Sequence, residues 1–239
     1  MRDFALRFAR VEKRFAGVPV VDGFSLEVRR GEFFALVGVN GAGKTTLIKC
    51  LLDFCDTDGG EIEIFSVPHT TTSARARLAY LPERFNPPFY LTGRAFLQYM
   101  LSLYRTRFDD AEVARVFGAL GLETSALDRP ARAYSKGMTQ KLGLAACLLS
   151  RKDLFVLDEP TGGLDPKARA LLKDELSALR RSGRTLFFTS HTLADVAELC
   201  DRLAVMHDGR LRFAGSPGEL VGRTGASSLE QAFLAAIAD

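Results

Sequence analysis

The chain has 239 residues, which is enough for one large α/β domain with a subdomain. With 47% hydrophobic and 26% charged residues, its composition is that of an ordinary soluble globular protein. The formal net charge of +3, from 32 basic and 29 acidic residues, is too small to favour nucleic acid or anionic lipid as a partner.

Neither the first residues nor the apolar runs have the pattern of a signal peptide or a membrane-spanning helix. Met1–Phe4 does not open the long apolar core of a signal peptide, and runs such as Leu154–Leu157 fall far short of the roughly 20 residues that span a bilayer. We therefore expect the protein to stay in the cytosol. The cysteines all lie in or beside apolar stretches, which predicts small buried hydrophobic residues in a reducing compartment. They are Cys50, Cys55, Cys147 and Cys200.

The first third of the chain is predicted to be mainly strands. Alternating patterns cover Phe4–Phe8, Val18–Val21 and Phe24–Val28. The segment Glu32–Val37 holds a continuous apolar run, which is typical of a strand covered on both faces. A glycine-rich turn follows it. The remaining predicted elements of this part are a helix at Thr45–Leu52 and strands at Ile62–Phe65 and Leu78–Leu81.

From about Asn86 to Ser150 the pattern is helical, so we predict a helical insertion at about residues 86–150. Its helices are Ala95–Tyr104 and Asp110–Leu120, the latter ended by Gly121. Strands and helices then alternate again. The predicted elements are strands Leu154–Leu157 and Thr185–Thr189, a helix Lys167–Arg181 capped by Asp165 with Pro166 at its first position, and a hairpin of Leu203–Met206 with Leu211–Phe213. Two short helices begin near Ser216 and near Ser228, where Gln231 completes a capping box.

The glycine-rich turn matches the phosphate-binding pattern G-x-x-x-x-G-K-[ST] at every defined position. It follows a predicted buried strand and opens a helix, as this motif requires. Glycines let the backbone wrap around phosphate oxygens, Lys44 can reach the β- and γ-phosphates, and the Thr45 hydroxyl can bind Mg²⁺. The motif predicts a nucleotide site. We assign its contacts to Gly38, Val39, Asn40, Gly41, Ala42, Gly43, Lys44, Thr45 and Thr46.

Two acids, Asp158 and Glu159, end the apolar strand that begins at Leu154. Adjacent carboxylates repel each other, which disfavours such a pair for stability alone. At the strand ends where α/β folds bind ligands, however, they can serve ligand binding and catalysis. Asp158 is expected to hold Mg²⁺, and Glu159 to polarise the water that attacks the γ-phosphate. A solvated strand end remains the alternative for Glu159 alone. His191 follows a neighbouring strand and is assigned a catalytic role beside the γ-phosphate.

The segment Tyr134–Gln140 distinguishes among the many classes of NTPase that have a phosphate loop and an acidic strand end. Its sequence Tyr-Ser-Lys-Gly-Met resembles the signature of ATP-binding cassette (ABC) proteins, in a variant carried by exporter-like (ABC-2-type) cassettes. The resemblance implies that this segment contacts ATP bound to a second copy of the chain, so that two copies enclose two nucleotides. The helix that follows is predicted at Lys141–Ser150. The residues implied in the contact are Ser135, Lys136, Gly137 and Met138.

Other landmarks of the family follow in order. Phe15 matches the aromatic residue that stacks on adenine, with a core aromatic as the alternative. Tyr80–Glu83 matches the Q-loop, in which Glu83 replaces glutamine but keeps an oxygen ligand for Mg²⁺. Gly163–Asp165 matches the D-loop, whose aspartate communicates across the dimer.

The resemblance covers essentially the whole chain. It implies an α/β fold with a P-loop NTPase core, an N-terminal antiparallel β-subdomain and an inserted α-helical subdomain. Residues 1–222 would form the ATPase domain and residues 223–239 a short helical tail. The implied protein is the ATP-hydrolysing subunit of an ABC transporter, using ATP and Mg²⁺ and lying in the cytoplasm on the inner face of the cell membrane.

The implied partners are a separate membrane-spanning permease subunit and a second copy of the chain, with no nucleic acid. Phe85–Leu91 is expected to contact the permease, with a rigid connection into the insertion as the alternative. Two other functions remain open: an ABC ATPase that powers a non-transport membrane complex, and a soluble ABC ATPase acting on ribosomes or DNA. One phosphate loop and a near-neutral charge argue against the last.

Overall fold

The computed structural model describes residues 4–238. Its strands are β1 (Phe4–Phe15), β2 (Val18–Arg29), β3 (Phe33–Val37), β4 (Gly59–Ile64), β5 (Val67–Pro68), β6 (Leu78–Leu81), β7 (Leu154–Asp158), β8 (Thr185–Thr189), β9 (Arg202–His207) and β10 (Arg210–Gly215). Its α-helices are α1 (Lys44–Leu51), α2 (Thr72–Arg75), α3 (Gly93–Leu103), α4 (Asp110–Ala119), α5 (Lys136–Leu149), α6 (Pro166–Arg181), α7 (Leu193–Leu199), α8 (Pro217–Thr224) and α9 (Leu229–Ala238). Within residues 4–238, no helix is both long and apolar enough to cross a membrane.

The strands form two sheets. The first is antiparallel, in the order β2-β1-β4-β5. The second has the order β10-β9-β3-β8-β7-β6, and its strands are parallel except for β10, which pairs antiparallel with β9. The α/β class, with an N-terminal antiparallel subdomain and helices inserted between β6 and β7, agrees with the sequence-based prediction.

Strand β3 shows why the predicted buried strands are apolar throughout. Side chains alternate between the two faces of a strand. Phe33, Ala35 and Val37 therefore pack into one hydrophobic core, with the inserted helices and α6, whereas Phe34 and Leu36 pack into a second core with α1 and the antiparallel sheet. All five side chains are buried, because both faces of the sheet are covered.

The N-terminal strands are longer than predicted. Phe4–Phe15 is one strand, of which only Phe4–Phe8 was predicted, and Val18–Arg29 joins two predicted strands into one. The alternation breaks because β1 is bulged between Phe8 and Val11, where Arg10 has a φ of 49°. A bulge inserts a residue and shifts the side-chain pattern without ending the strand.

The helix that carries the signature segment begins earlier than predicted. It starts at Lys136 instead of Lys141, because the Ser135 hydroxyl accepts a hydrogen bond from the Met138 amide and caps it. Gly137 has a low helix propensity, which obscures the first turn in the sequence. By contrast, α6 has its predicted Asp165 cap, which accepts from the Ala168 amide, and its predicted proline at the first position.

The C-terminal helices also differ in detail from the prediction. Helix α8 has a complete capping box between Ser216 and Glu219. The box predicted at Ser228 is only half formed: its hydroxyl accepts from the Gln231 amide, but the Gln231 side chain accepts from Ser227. The proposed boundary between residues 222 and 223 falls inside α8, so the division into domain and tail stays a prediction.

Candidate functional site

Three parallel strands end at the same edge of the sheet. Leu36 of β3 and Asp158 of β7 both lie opposite Thr189 of β8 in the strand register. The segments that follow these strands therefore meet, as expected at the carboxyl edge of a parallel sheet. These segments are the glycine-rich loop, Glu159 and His191.

The glycine-rich loop follows β3 and needs glycine at its closest approaches. A Cβ on Gly38 would lie 2.4 Å from the Met206 carbonyl oxygen, and one on Gly43 would lie 2.5 Å from the Val20 carbonyl oxygen. Gly43 also has a φ of 105°, in the left-handed region that other residues rarely adopt. The loop can therefore pack this tightly against β2 and β9 only with glycine at these positions.

Lys44 begins helix α1 at the end of this loop. Its Nζ donates hydrogen bonds to the carbonyl oxygens of Gly38 at 2.6 Å and Val39 at 3.2 Å, so the ammonium lies inside the loop. Burial lowers the pKa of Lys44, while the negative charges of Glu159 and Asp158 oppose this shift. The loop thus concentrates backbone N–H groups, a helix N-terminus and an ammonium at one point, which suits a polyphosphate.

A cavity of about 580 Å³ opens over this loop. Most of the predicted nucleotide and metal residues line it together with the predicted catalytic pair. The lining consists of Val20, Asn40, Gly41, Ala42, Gly43, Lys44, Thr45, Thr46, Glu83, Asp158, Glu159 and His191. Val20 was not singled out from the sequence, since its strand comes next to the loop only through tertiary packing.

Asp158 is buried, and Thr189 holds it in place. The Thr189 hydroxyl donates to Asp158 Oδ1 at 2.6 Å and accepts from the Glu159 amide at 2.9 Å. Burial raises the pKa of Asp158, and the hydrogen bond from Thr189 opposes that shift. Thr189 was missed from the sequence because it was assigned only as the last residue of an apolar strand. A hydroxyl two residues before His191 at a strand end was the available signal.

Glu159 and His191 are in direct contact. The Nδ1 of His191 lies 2.7 Å from Oε2 of Glu159, and the His191 amide donates to the same oxygen at 3.3 Å. Burial raises the pKa of Glu159, and His191 opposes the shift. Glu159 has a φ of 51°, which is uncommon for a non-glycine residue and typical of strained functional positions.

Part of the signature segment lines a second cavity. This cavity of about 750 Å³ shares Glu83, Glu159 and His191 with the first, and Lys136 is among its lining residues. The aliphatic part of Lys136 packs close to Gly163. This contact joins the signature segment to the D-loop. In one chain, Ser135, Gly137, Met138 and Asp165 do not line the cavity over the phosphate loop.

Phe15 is apart from both cavities. Its side chain is 49% exposed at the end of β1, so the alternative of a core aromatic is wrong. The Lys13 ammonium lies 5.4 Å from the centre of its ring. An exposed ring on the hairpin that carries Val20 is available to stack on a planar ligand.

The oxygen donors in the first cavity fit a magnesium ion. Mg²⁺ prefers carboxylate and hydroxyl oxygens and is usually held by one or two carboxylates together with substrate phosphates. Thr45, Glu83 and Asp158 all line the cavity and supply such oxygens. Within residues 4–238, no cluster of three or more His, Cys, Asp or Glu residues forms an all-protein metal cage. The donor set is therefore one that would share a metal with a phosphate.

Comparison with known proteins identifies the family. The sequence model described as "ABC transporter" matches residues 21–162. The chain belongs to the ABC transporter family. The resemblance inferred from the signature segment is thereby confirmed.

Relatives within the ABC transporter family cover most of the chain. An uncharacterized ABC transporter ATP-binding protein of Synechocystis sp. is 39% identical over 203 residues, which are 83% of this chain and 57% of that protein. Nod factor export ATP-binding protein I of Burkholderia orbicola is 39% identical over 220 residues, which are 90% of this chain and 71% of that protein. The chain thus spans less than two thirds of the length of the first of these ABC relatives.

Solved ABC structures share the fold. One described as the ATP binding subunit of an ABC transporter superposes with a TM-score of 0.89 at 27% identity. The match covers 97% of this chain and 99% of that one. The two-sheet architecture with inserted helices is therefore the fold of ABC ATP-binding domains, as the sequence predicted.

Proposed function

We propose that this chain binds and hydrolyses ATP as the motor subunit of an ABC transporter of the exporter-like branch. The observation that carries the proposal is the convergence of the phosphate loop, Asp158 and the Glu159–His191 pair on one cavity. The 39% identity to a protein named for Nod factor export supports the exporter-like branch.

The phosphate loop binds the nucleotide. Backbone N–H groups of residues 38–46 and the N-terminus of α1 face the phosphates, and Lys44 moves from the loop carbonyls to the phosphate oxygens. Phe15 stacks on the adenine. Thr45, Glu83 and Asp158 would hold Mg²⁺, which neutralises charge on the phosphates.

Glu159 acts as the general base for the attacking water. Its raised pKa makes the carboxylate a better proton acceptor than an exposed one, and His191 Nδ1 fixes its orientation. The His191 ring is 70% exposed, which leaves its other nitrogen free to reach the γ-phosphate. Positioning and charge neutralisation supply most of the rate enhancement in such a reaction.

A second copy of the chain completes the site. Ser135, Lys136, Gly137 and Met138 stand at the capped N-terminus of α5, which is an anion-binding position, yet they lie outside the cavity over their own phosphate loop. They act on the nucleotide of the partner copy, with Asp165 contributing at the same interface. Two copies thus enclose two nucleotides, and ATP stabilises the dimer.

A membrane-spanning permease subunit binds the helical insertion. Phe89 and Tyr90 are 65% and 67% exposed and pack edge to face, 5.4 Å between ring centres. Exposed aromatic pairs are typical of binding surfaces. They lie in the predicted contact segment Phe85–Leu91, a few residues after Glu83. The protein would therefore lie on the cytoplasmic face of the membrane, and movement at Glu83 would pass to the permease.

The test compares Lys44→Ala and Glu159→Gln with the unchanged protein. Lys44→Ala should abolish tight ATP binding, because the phosphates lose their main cationic partner. Glu159→Gln should bind ATP normally, lose about 10²–10⁴-fold in hydrolysis rate and elute as an ATP-dependent dimer. Binding is measured by calorimetry, turnover by phosphate release, and size by light scattering.

Lys49→Ala is the matched control, since it removes an exposed lysine from the same helix. It should leave affinity and turnover near those of the unchanged protein. Unchanged ATP affinity in Lys44→Ala, or full turnover in Glu159→Gln, would contradict the assignment of these residues.

A further inference from the structure

Two of the four cysteines face each other beside the phosphate-loop helix. The Sγ atoms of Cys50, in α1, and Cys55, in the loop after it, lie 3.5 Å apart. Cys147 and Cys200 are buried elsewhere, in the other hydrophobic core. The thiol pair has no role in the proposed hydrolysis.

The chain turns sharply to create this contact. Asp53 has a φ of 60°, and the amides of Asp53 and Phe54 donate back to the carbonyl oxygens of Cys50 and Lys49. These bonds end the helix and return Cys55 to its side. A disulfide requires sulfur atoms about 2.05 Å apart, so an approach of about 1.5 Å would close the bond.

The two thiols differ in exposure. Cys50 is fully buried, whereas Cys55 is half-buried, which corrects the prediction that all four cysteines are buried. Burial raises the pKa of Cys50 to about 12, and the nearby Lys13 charge opposes the shift. Cys55 is therefore the thiol that solvent reaches first and the one that a peroxide would oxidise, and Cys50 lies within 3.5 Å of it.

The loop after Cys55 is tied to the hairpin that carries Phe15. The Asp58 carboxylate accepts from the Arg14 amide at 2.5 Å and from Lys13 Nζ at 3.3 Å. The Asp58 amide donates to the Glu12 carbonyl oxygen at 2.8 Å. Movement of the loop therefore reaches the residue next to Phe15.

We propose that Cys50 and Cys55 are an oxidation site that forms a reversible disulfide with a hydroperoxide and thereby weakens nucleotide binding. The effect on nucleotide rests on the proposed function, whereas disulfide formation does not.

The chemistry takes two steps. The Cys55 thiolate attacks a peroxide oxygen, the O–O bond breaks, and hydroxide leaves as water, giving a sulfenic acid. The Cys50 sulfur then attacks the Cys55 sulfur, the S–O bond breaks, and the hydroxyl leaves with the Cys50 proton as a second water. Two thiols are oxidised and one hydrogen peroxide is reduced to two waters.

Closing the bond draws the loop toward α1. Asp58 follows three residues later and pulls on Arg14 and Lys13, so Phe15 shifts from the position in which it stacks on adenine. The phosphate loop itself is unaffected, because Cys50 lies near the far end of α1 from Lys44. We therefore expect weaker binding rather than its loss.

The experiment treats the full chain with hydrogen peroxide, then alkylates it under denaturing conditions for intact mass measurement. The unchanged protein should lose the mass of two hydrogens and keep only two of its four alkylatable thiols. Dithiothreitol should restore the original mass and all four thiols. Cys55→Ser should not lose the two hydrogens. Cys147→Ser and Cys200→Ser, the matched controls, should behave like the unchanged protein.

Affinity for a fluorescent ATP analogue is measured on the same samples. Oxidation should weaken binding about fivefold in the unchanged protein and leave Cys55→Ser unchanged. Four alkylatable thiols after peroxide treatment, disulfide formation in Cys55→Ser, or equal affinity before and after oxidation would overturn the proposal. No binding by the reduced, unchanged protein would instead contradict the proposed function.

Discussion

At the scale of single residues, the site depends on how two adjacent carboxylates are kept apart. Asp158 ends β7 in extended backbone, and Glu159 turns away with a positive φ. The Thr189 hydroxyl bonds to both residues, through the carboxylate of the first and the amide of the second. One side chain therefore holds the proposed metal ligand and the strained backbone of the proposed base, and it is a positioning residue.

Thr189→Val tests this role by removing the hydroxyl with little change in shape. The half-buried Glu159 amide and the buried Asp158 carboxylate would each lose a hydrogen-bond partner, and leaving buried polar groups unpaired costs about 1–3 kcal/mol of unfolding free energy. Asp158 would also lose the hydroxyl that orients its carboxylate, so we expect Mg²⁺-dependent ATP affinity to fall about tenfold. Calorimetric titration of ATP with and without Mg²⁺ measures this affinity.

Thr189→Ser should retain the affinity, since it keeps the hydroxyl. Thr185→Val is the matched control, because Thr185 is a buried threonine at the other end of the same strand whose hydroxyl accepts from the Gly31 amide. It should lose stability without changing the Mg²⁺ dependence. If both valine variants change Mg²⁺ dependence equally, Thr189 has only a general structural role.

Most of the site residues predicted from the sequence belong to contiguous motifs. The chemistry of the phosphate loop and of Asp158–Glu159 follows from neighbours along the chain. Thr189 and Val20 were missed because their roles come from lateral contacts, which depend on strand register and on packing between sheets. The 2.7 Å contact between Glu159 and His191 likewise joins residues from two strands.

At the scale of elements, the signature segment is anchored to the helical insertion by Tyr134. Its hydroxyl donates to the Ala126 carbonyl oxygen at 2.6 Å, in the turn that follows α4. The ring passes over the start of α3, where a Cβ on Gly93 would lie 2.2 Å from the Tyr134 hydroxyl oxygen. Gly93 thus makes room for the residue that precedes the signature cap.

Gly93→Ala should destabilise the protein, although alanine is the better helix former. The added methyl group would force Tyr134 away from Ala126, and such overpacking typically costs about 1–3 kcal/mol. Urea denaturation measures the unfolding free energy. Adding Tyr134→Phe, which removes the clashing oxygen, should recover part of the loss.

Gly118→Ala in α4 is the matched control. A Cβ added at Gly118 would have no neighbouring atom within 4 Å, so alanine should stabilise the helix by about 0.5–1 kcal/mol. Equal effects at the two glycines would contradict the packing role of Gly93.

Elements were predictable where their signals are local. The Asp165 cap and Pro166 define the start of α6 by themselves. Strand β1 was not predicted in full because its bulge at Arg10 is accommodated by another strand: a Cβ on Gly60 of β4 would lie 2.2 Å from the Arg10 carbonyl oxygen. A sequence pattern does not contain that pairing.

At the scale of the whole molecule, two hydrophobic cores lie on opposite faces of one sheet. Each core supports a different part of the proposed ATPase. The core around α1 and the antiparallel sheet supports the phosphate loop and the Phe15 hairpin. The other core packs α3, α4 and α5, and so carries the signature segment and the exposed Phe89–Tyr90 pair. The sequence predicted the antiparallel subdomain and the helical insertion but not the strand order, which depends on pairing between distant segments.

The central claim is that ATP hydrolysis here drives a membrane-spanning partner. The most direct measurement is affinity capture of tagged Glu159→Gln protein from detergent-solubilised native membranes with ATP and Mg²⁺, with bound proteins identified by mass spectrometry. We predict a polytopic membrane protein in stoichiometric amount, and its loss when Phe89 and Tyr90 are both changed to serine. Recovery of ribosomal or DNA-associated proteins without a membrane subunit would contradict the claim.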